Sequence, residues 1–182
     1  MAARGIRNNN PLNIRYSATH WNGKVLKEHK HDENFEEFTS MYYGFRAALI
    51  NIETYIIKYG CNTIAKIISR WAPSSDLACC KECAVRIKAA ANPPLQSTQA
   101  CIGCTKRNRP DDYIQHVCRI TNTGGNEVIS NHSRKLRDIV AAMAFIESGR
   151  NITAYYDSLD QAFEDFVPRE VYQPEPKRHN RL

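Results

Sequence analysis

The chain is 182 residues long, the size of one domain or of one domain carrying a small module. With 42% hydrophobic and 24% charged residues it is not a wholly disordered chain, and no apolar run reaches the roughly 18 residues of a membrane-spanning helix. Its 25 Lys and Arg against 19 Asp and Glu give a net charge of +6, which suits a polyanion without choosing among nucleic acid, an anionic wall polymer and a lipid surface.

Residues 1–40 are polar and rich in turns, with Asn8-Asn9-Asn10-Pro11, Asn13 and Asn22-Gly23 as breakers. Met1 to Arg7 lacks the apolar stretch of a signal peptide, so none is expected. Leu12 to Tyr16 and Val25 to Leu26 read as short strands or extended loop. Phe45, Leu49, Ile52, Ile56 and Tyr59 then repeat at helical spacing, and Gly60 supplies a stop. Thr63 caps a second helix with Ile64, Ile67, Ile68 and Trp71 on its apolar face, ended by Pro73. A third opens at Pro110-Asp111-Asp112, turns Ile114, Val117 and Cys118 inward, and stops before Gly124-Gly125. A strong amphipathic helix runs from Asn131 through Leu136, Ile139, Val140, Met143 and Ile146 to Gly149. A shorter one, capped by Asp157 or Ser158, buries Leu159, Phe163 and Phe166 before Pro168. The expected fold is mainly α, with short N-terminal strands or loops.

Seven cysteines are the unusual count, and five lie between Cys79 and Cys104. Cys80-Lys-Glu-Cys83 and Cys101-Ile-Gly-Cys104 form two CxxC pairs with 17 residues between them. Tetrahedral zinc takes four thiolates in such an arrangement, one pair from each turn. Cys80, Cys83, Cys101 and Cys104 are therefore expected to hold a structural zinc ion, with Cys79 an alternative to Cys80. Residues 77–109 read as a small insert stapled by that metal. Reduced or paired cysteines without metal are the plainer reading. Cys61 and Cys118 fall on helical stretches and read as small buried hydrophobes.

Glu147 stands four residues after Met143 and seven after Val140, on the apolar face of the amphipathic helix and in its last turn. Burial and the negative end of the helix dipole both work against a carboxylate there. Both favour its protonated form, which is what a general acid needs. The plainer alternative is a half-exposed carboxylate at a helix end, paired with Arg137 or Arg150.

Phe145-Ile146-Glu147-Ser148-Gly149, after a helix of small residues, resembles the catalytic-glutamate segment of lysozyme-like lytic transglycosylases and related glucosaminidases. Arg4 to Tyr16 (Arg-Gly-Ile-Arg-Asn-Asn-Asn-Pro-Leu-Asn-Ile-Arg-Tyr), followed by Trp21-Asn22-Gly23, resembles a segment of phage virion-associated proteins of that superfamily. Phe38-Thr39-Ser40, Gly44-Phe45-Arg46-Ala47, Arg70-Trp71-Ala72-Pro73 and Tyr113-Ile114 extend the likeness across most of residues 4–76 and 110–150. The Asn-rich segment precedes the glutamate here, the reverse of the usual order, so the two resemblances together imply a circular permutant. They imply an α+β lysozyme-like domain over 1–76 and 110–168, interrupted by the cysteine insert at 77–109 and followed by a basic, flexible tail at 169–182.

The activity so implied is cleavage of the β-1,4 glycan of bacterial peptidoglycan, with Glu147 as general acid and base. No convincing second carboxylate stands beside it in the sequence, although Asp32 and Glu33 are candidates, so the one-glutamate route with an anhydro product fits better than two-carboxylate hydrolysis. Asn9, Asn10 and Asn13 are expected to bind sugar hydroxyl or acetamido groups, Tyr16, Trp21 and Tyr42 to offer flat faces to sugar rings, and Ser148 to stand at the substrate. The expected setting is a virion, with delivery to the periplasm or wall and contacts to other virion proteins. A non-catalytic virion protein with the same fold is the first rival. A zinc-containing nucleic-acid binder is a weaker second, because the cysteine loop has few aromatics and no recognition-helix spacing.

Overall fold

Helices account for most of the ordered structure in the computed structural model, which describes residues 2–73 and 110–166. They are α1 (Arg4–Arg7), α2 (Met41–Tyr59), α3 (Ile64–Trp71), α4 (Pro110–Thr121), α5 (Arg134–Ser148) and α6 (Tyr156–Glu164), with 3-10 turns at Lys27–His29 and Arg150–Tyr155. The molecule is mainly α, as the apolar spacing predicts. The cysteine insert with Cys79, Cys80, Cys83, Cys101 and Cys104, and the tail, lie outside the described residues.

The helix boundaries follow local chemistry. Gly60 ends α2 in the left-handed region at φ 65°, where a side chain would be strained. Thr63 caps α3 by accepting from the Lys66 N–H, and Ser133 caps α5 by accepting from the Leu136 N–H. The amphipathic pattern thus begins as helix at Arg134, three residues later than its periodicity suggests. Helix α6 opens at Tyr156 without a side-chain cap. Asp157 and Ser158, expected as caps, lie inside its first turns, because the preceding 3-10 turn already supplies the entry.

Helix α2 is the central element, with Phe45, Ala48, Leu49 and Ile52 fully buried. It packs against α3, α5 and α6, while α4 bridges α3 and α5. Leu136, Ile139, Val140 and Met143 of α5 meet that core with no exposed surface. Each fully buried Leu, Ile, Phe or Met side chain contributes on the order of 2 kcal/mol. The core therefore fixes both ends of α5, including the last turn that carries Glu147.

The N-terminal segment joins this core through Leu12, Ile14 and Phe38, and hydrogen bonds shape it. The backbone at Asn34–Thr39 bonds to Ile14 and Tyr16 on one side and to Gly23 and Val25 on the other. These contacts yield two isolated antiparallel bridges, Arg15 to Phe35 and Lys24 to Phe38, so of the two expected forms, short strands or extended loop, the segment takes the second. The Asn-rich run sets the geometry. Asn9 and Asn13 occupy the left-handed region at φ 48° and 50°, which asparagine tolerates better than most residues.

Asn10 is fully buried. Its amide donates to the carbonyls of Ile14 and Glu36 and accepts from the Ile14 N–H. Asn9 donates to the Phe38 carbonyl and Asn8 to Asp32. Both Asn9 and Asn10, expected at a sugar subsite, are thus spent on folding the loop; buried amides of this kind need such partners.

Candidate active site

Glu147 lines a cleft of about 730 Å³ at the junction of the N-terminal segment with α2, α3, α4 and α5. Its Oε2 accepts a 3.1 Å hydrogen bond from Asn13 Nδ2. Its Oε1 accepts from the Tyr113 hydroxyl at 3.1 Å and from Trp71 Nε1 at 3.4 Å. Three donors from the N-terminal loop, the end of α3 and the first turn of α4 thus aim one half-buried carboxylate. Arg137, the partner offered by the plainer reading, is committed to Asp160 at 2.7 Å and Asp138 at 3.2 Å.

The end of α5 is anchored to the Asn-rich loop. Ser148, next to Glu147, is 3% exposed and donates its hydroxyl to the Pro11 carbonyl at 2.8 Å. It ties the end of α5 to the Asn-rich loop rather than facing the cleft. A Cβ on Gly5 would sit 1.9 Å from Ser148 Oγ, so glycine is required where α1 crosses α5. Beyond Ser148, Gly149 leaves the helix at φ 77°.

Burial pushes the Tyr113 hydroxyl well above its ordinary value, and the charge and hydrogen bond of Glu147 act in the same direction. Tyr113 therefore remains a donor throughout the neutral range. Because folding raises this pKa, its stabilisation is complete below the unfolded value near 10 and is lost as pH rises through the folded one. Thermal melts between pH 9 and 11.5 should show a steeper alkaline loss for the wild type than for Tyr113→Phe. Parallel curves would remove Tyr113 from the account.

Trp21 joins Asn13 in the cleft wall, together with Leu12, Tyr55 and Ile146. Asn13 Oδ1 and Trp21 Nε1 are buried and have no hydrogen-bond partner among the described residues. Both atoms are enclosed in the wall of the cleft rather than open to it. Arg4, Arg15 and Arg70 also line it, and Glu147 is the carboxylate among the described lining residues. Two other expected contacts are placed elsewhere. Tyr42 bonds Asp165 at 2.9 Å and packs edge-on against Tyr43. Tyr16 stands outside the cleft lining, with the Lys24 and Lys30 ammonium groups 4.5 and 4.6 Å from its ring centre.

Asp32 faces a separate depression with Arg7, His31, Glu33 and Glu37. Burial raises its carboxyl, but hydrogen bonds from Asn8 and the Asn34 and Phe35 N–H groups, with the Arg4 charge, hold it below the ordinary range. It serves as a turn clamp rather than a second acid beside Glu147. Among the described residues no group of His, Cys, Asp and Glu is arranged to hold a metal ion, and no helix is long and apolar enough to cross a membrane.

Trp71, Tyr113 and Arg70 are the cleft residues whose roles sequence reasoning missed. Each belongs to a motif noted above, but nothing in their spacing connects them to a carboxylate 34 to 77 positions away.

No family model matches the chain. It is 30% identical over 166 residues to Protein P5 of Pseudoalteromonas phage PM2, an alignment covering 90% of this chain and 81% of the relative. The chain belongs to the family of that phage protein.

Proposed function

We propose that this chain is a peptidoglycan-cleaving enzyme of the lysozyme-like, lytic transglycosylase type, carried by a phage particle. The observation that supports it most is Glu147: one carboxylate, aimed by Asn13, Trp71 and Tyr113, in the wall of an open cleft. In this reading Glu147 takes up a proton on Oε2, toward which the Asn13 amide turns its oxygen, and gives it to the glycosidic oxygen as the C1–O bond breaks. The carboxylate then takes the proton of the sugar's own hydroxyl as that oxygen closes on C1, which leaves an anhydro sugar and restores the acid. Of the expected sugar contacts, Asn13 and Trp21 line this cleft. Arg4, Arg15 and Arg70 suit the negative charge of the wall polymer.

Incubation of the purified protein with bacterial sacculi tests the reading. Release of soluble muropeptides supports it. The second reading, a virion component that only binds glycan, is favoured by the phage relative and predicts binding without release.

The cysteine insert carries a separate proposal, a structural zinc ion held by Cys80, Cys83, Cys101 and Cys104, which rests on the CxxC spacing. Elemental analysis of reduced protein should find about one zinc per chain. Metal-free protein of unchanged stability would contradict it.

A further inference from the structure

Arg70 occupies the last turn of α3, directly before Trp71, which donates to Glu147. Its guanidinium lies 3.6 Å from the centre of the Tyr59 ring and 5.0 Å from that of Tyr55. Tyr55 in turn meets Trp71, with ring centres 6.4 Å apart. Tyr55, Arg70, Trp71 and Glu147 all line the same cleft. Arg70 is thus held against two aromatic rings in the candidate site.

Its partners differ from those of Arg4 and Arg137, which have carboxylates beside them. Arg137 is paired with Asp160, and Arg4 lies 3.5 Å from Asp32. The described contacts of Arg70 are with aromatic rings, which accept no conventional hydrogen bond from its five N–H donors. A guanidinium presented in this way matches a carboxylate, which it can bind through two parallel hydrogen bonds. Its exposed position keeps those donors open to a ligand.

The wall glycan carries carboxylates on its peptide substituents, and on the lactyl group wherever that peptide is absent, whereas a chitin polymer has the same β-1,4 backbone and acetamido groups without them. We propose that Arg70 is a specificity-determining residue that binds a substituent carboxylate of the glycan, so that the cleft prefers carboxylate-bearing peptidoglycan to neutral N-acetylglucosamine polymer. This rests on the reading of the cleft as a peptidoglycan site.

Co-sedimentation with purified sacculi and with chitin particles separates the possibilities, using Glu147→Gln protein so that the polymer stays intact. Adding Arg70→Gln should weaken binding to sacculi about tenfold, the loss expected for one charge-assisted contact. Binding to chitin should be weaker from the outset and unchanged by the substitution. Arg70→Lys should recover part of the sacculus affinity. Undiminished sacculus binding by Arg70→Gln, equal losses on both polymers, or no binding to either would overturn the proposal. Failure of the enzymatic reading shows itself differently: Arg70-dependent binding would persist while the protein with Glu147 intact released nothing.

Discussion

Replacing Glu147 by glutamine is expected to lower glycan cleavage about a thousandfold while leaving the fold intact, because removal of a positioned proton donor costs roughly 10²–10⁴ in rate. The substitution keeps the acceptor that serves Tyr113 and Trp71. On the other side, the new amide would face the Asn13 amide nitrogen, which now donates to Oε2. Asn13 Oδ1 has no hydrogen-bond partner among the described residues, so rotation of the Asn13 amide by half a turn restores the pair. Unchanged thermal stability combined with lost cleavage would separate chemistry from folding. Retention of wild-type rates would remove Glu147 from the mechanism.

The second large effect concerns stability. A Cβ on Gly44 would stand 1.9 Å from the Asn9 carbonyl oxygen and 2.8 Å from Pro11 Cδ. The first obstacle is backbone, fixed in the left-handed region at Asn9 and tied through its amide to Phe38. No rotamer change can relieve the clash, so α2 and the Asn-rich loop must separate. Gly44→Ala should therefore cost about 3 kcal/mol, a fall in Tm of roughly 6–12 °C for a protein of this size. It should also reduce activity more than stability alone explains, because the same loop delivers Asn13 to Glu147. A change in Tm within about 2 °C would show that the loop is not packed as described.

How far the sequence reveals this molecule depends on the range of the interaction concerned. Helix α5 was legible because Leu136, Ile139, Val140 and Met143 repeat with the helical period, and the same counting places Glu147 on the inner side of the last turn. Thr63 and Gly60 were legible because capping is local. The four residues of α1 are too short to show a period, and the turn at Arg150–Tyr155 carries no apolar repeat. The asparagines mark the limit most clearly. An asparagine that clamps a loop and one that faces a ligand have the same side chain in the same Asn-Pro setting. Burial divides them: Asn10 is enclosed and bonded to Ile14 and Glu36, whereas Asn13, three residues later, reaches Glu147.

The site itself was half legible. The carboxylate could be singled out from its misfit on an apolar helix face. Its donors could not, since Trp71 and Tyr113 approach it only because α3 and α4 pack together beside α5. The basic lining shows the same dependence. A net charge of +6 gave no location, but Arg4, Arg15 and Arg70 come together in the cleft that holds Glu147.

The central claim is that Glu147 cleaves the wall glycan by the one-carboxylate route, and mass spectrometry of the products released from purified sacculi tests it most directly. Wild-type protein should release muropeptides that end in anhydro sugars, each lighter by one water than a hydrolytic product, and Glu147→Gln should release almost none. Equal release by both proteins, or binding to sacculi with no release by either, would contradict it.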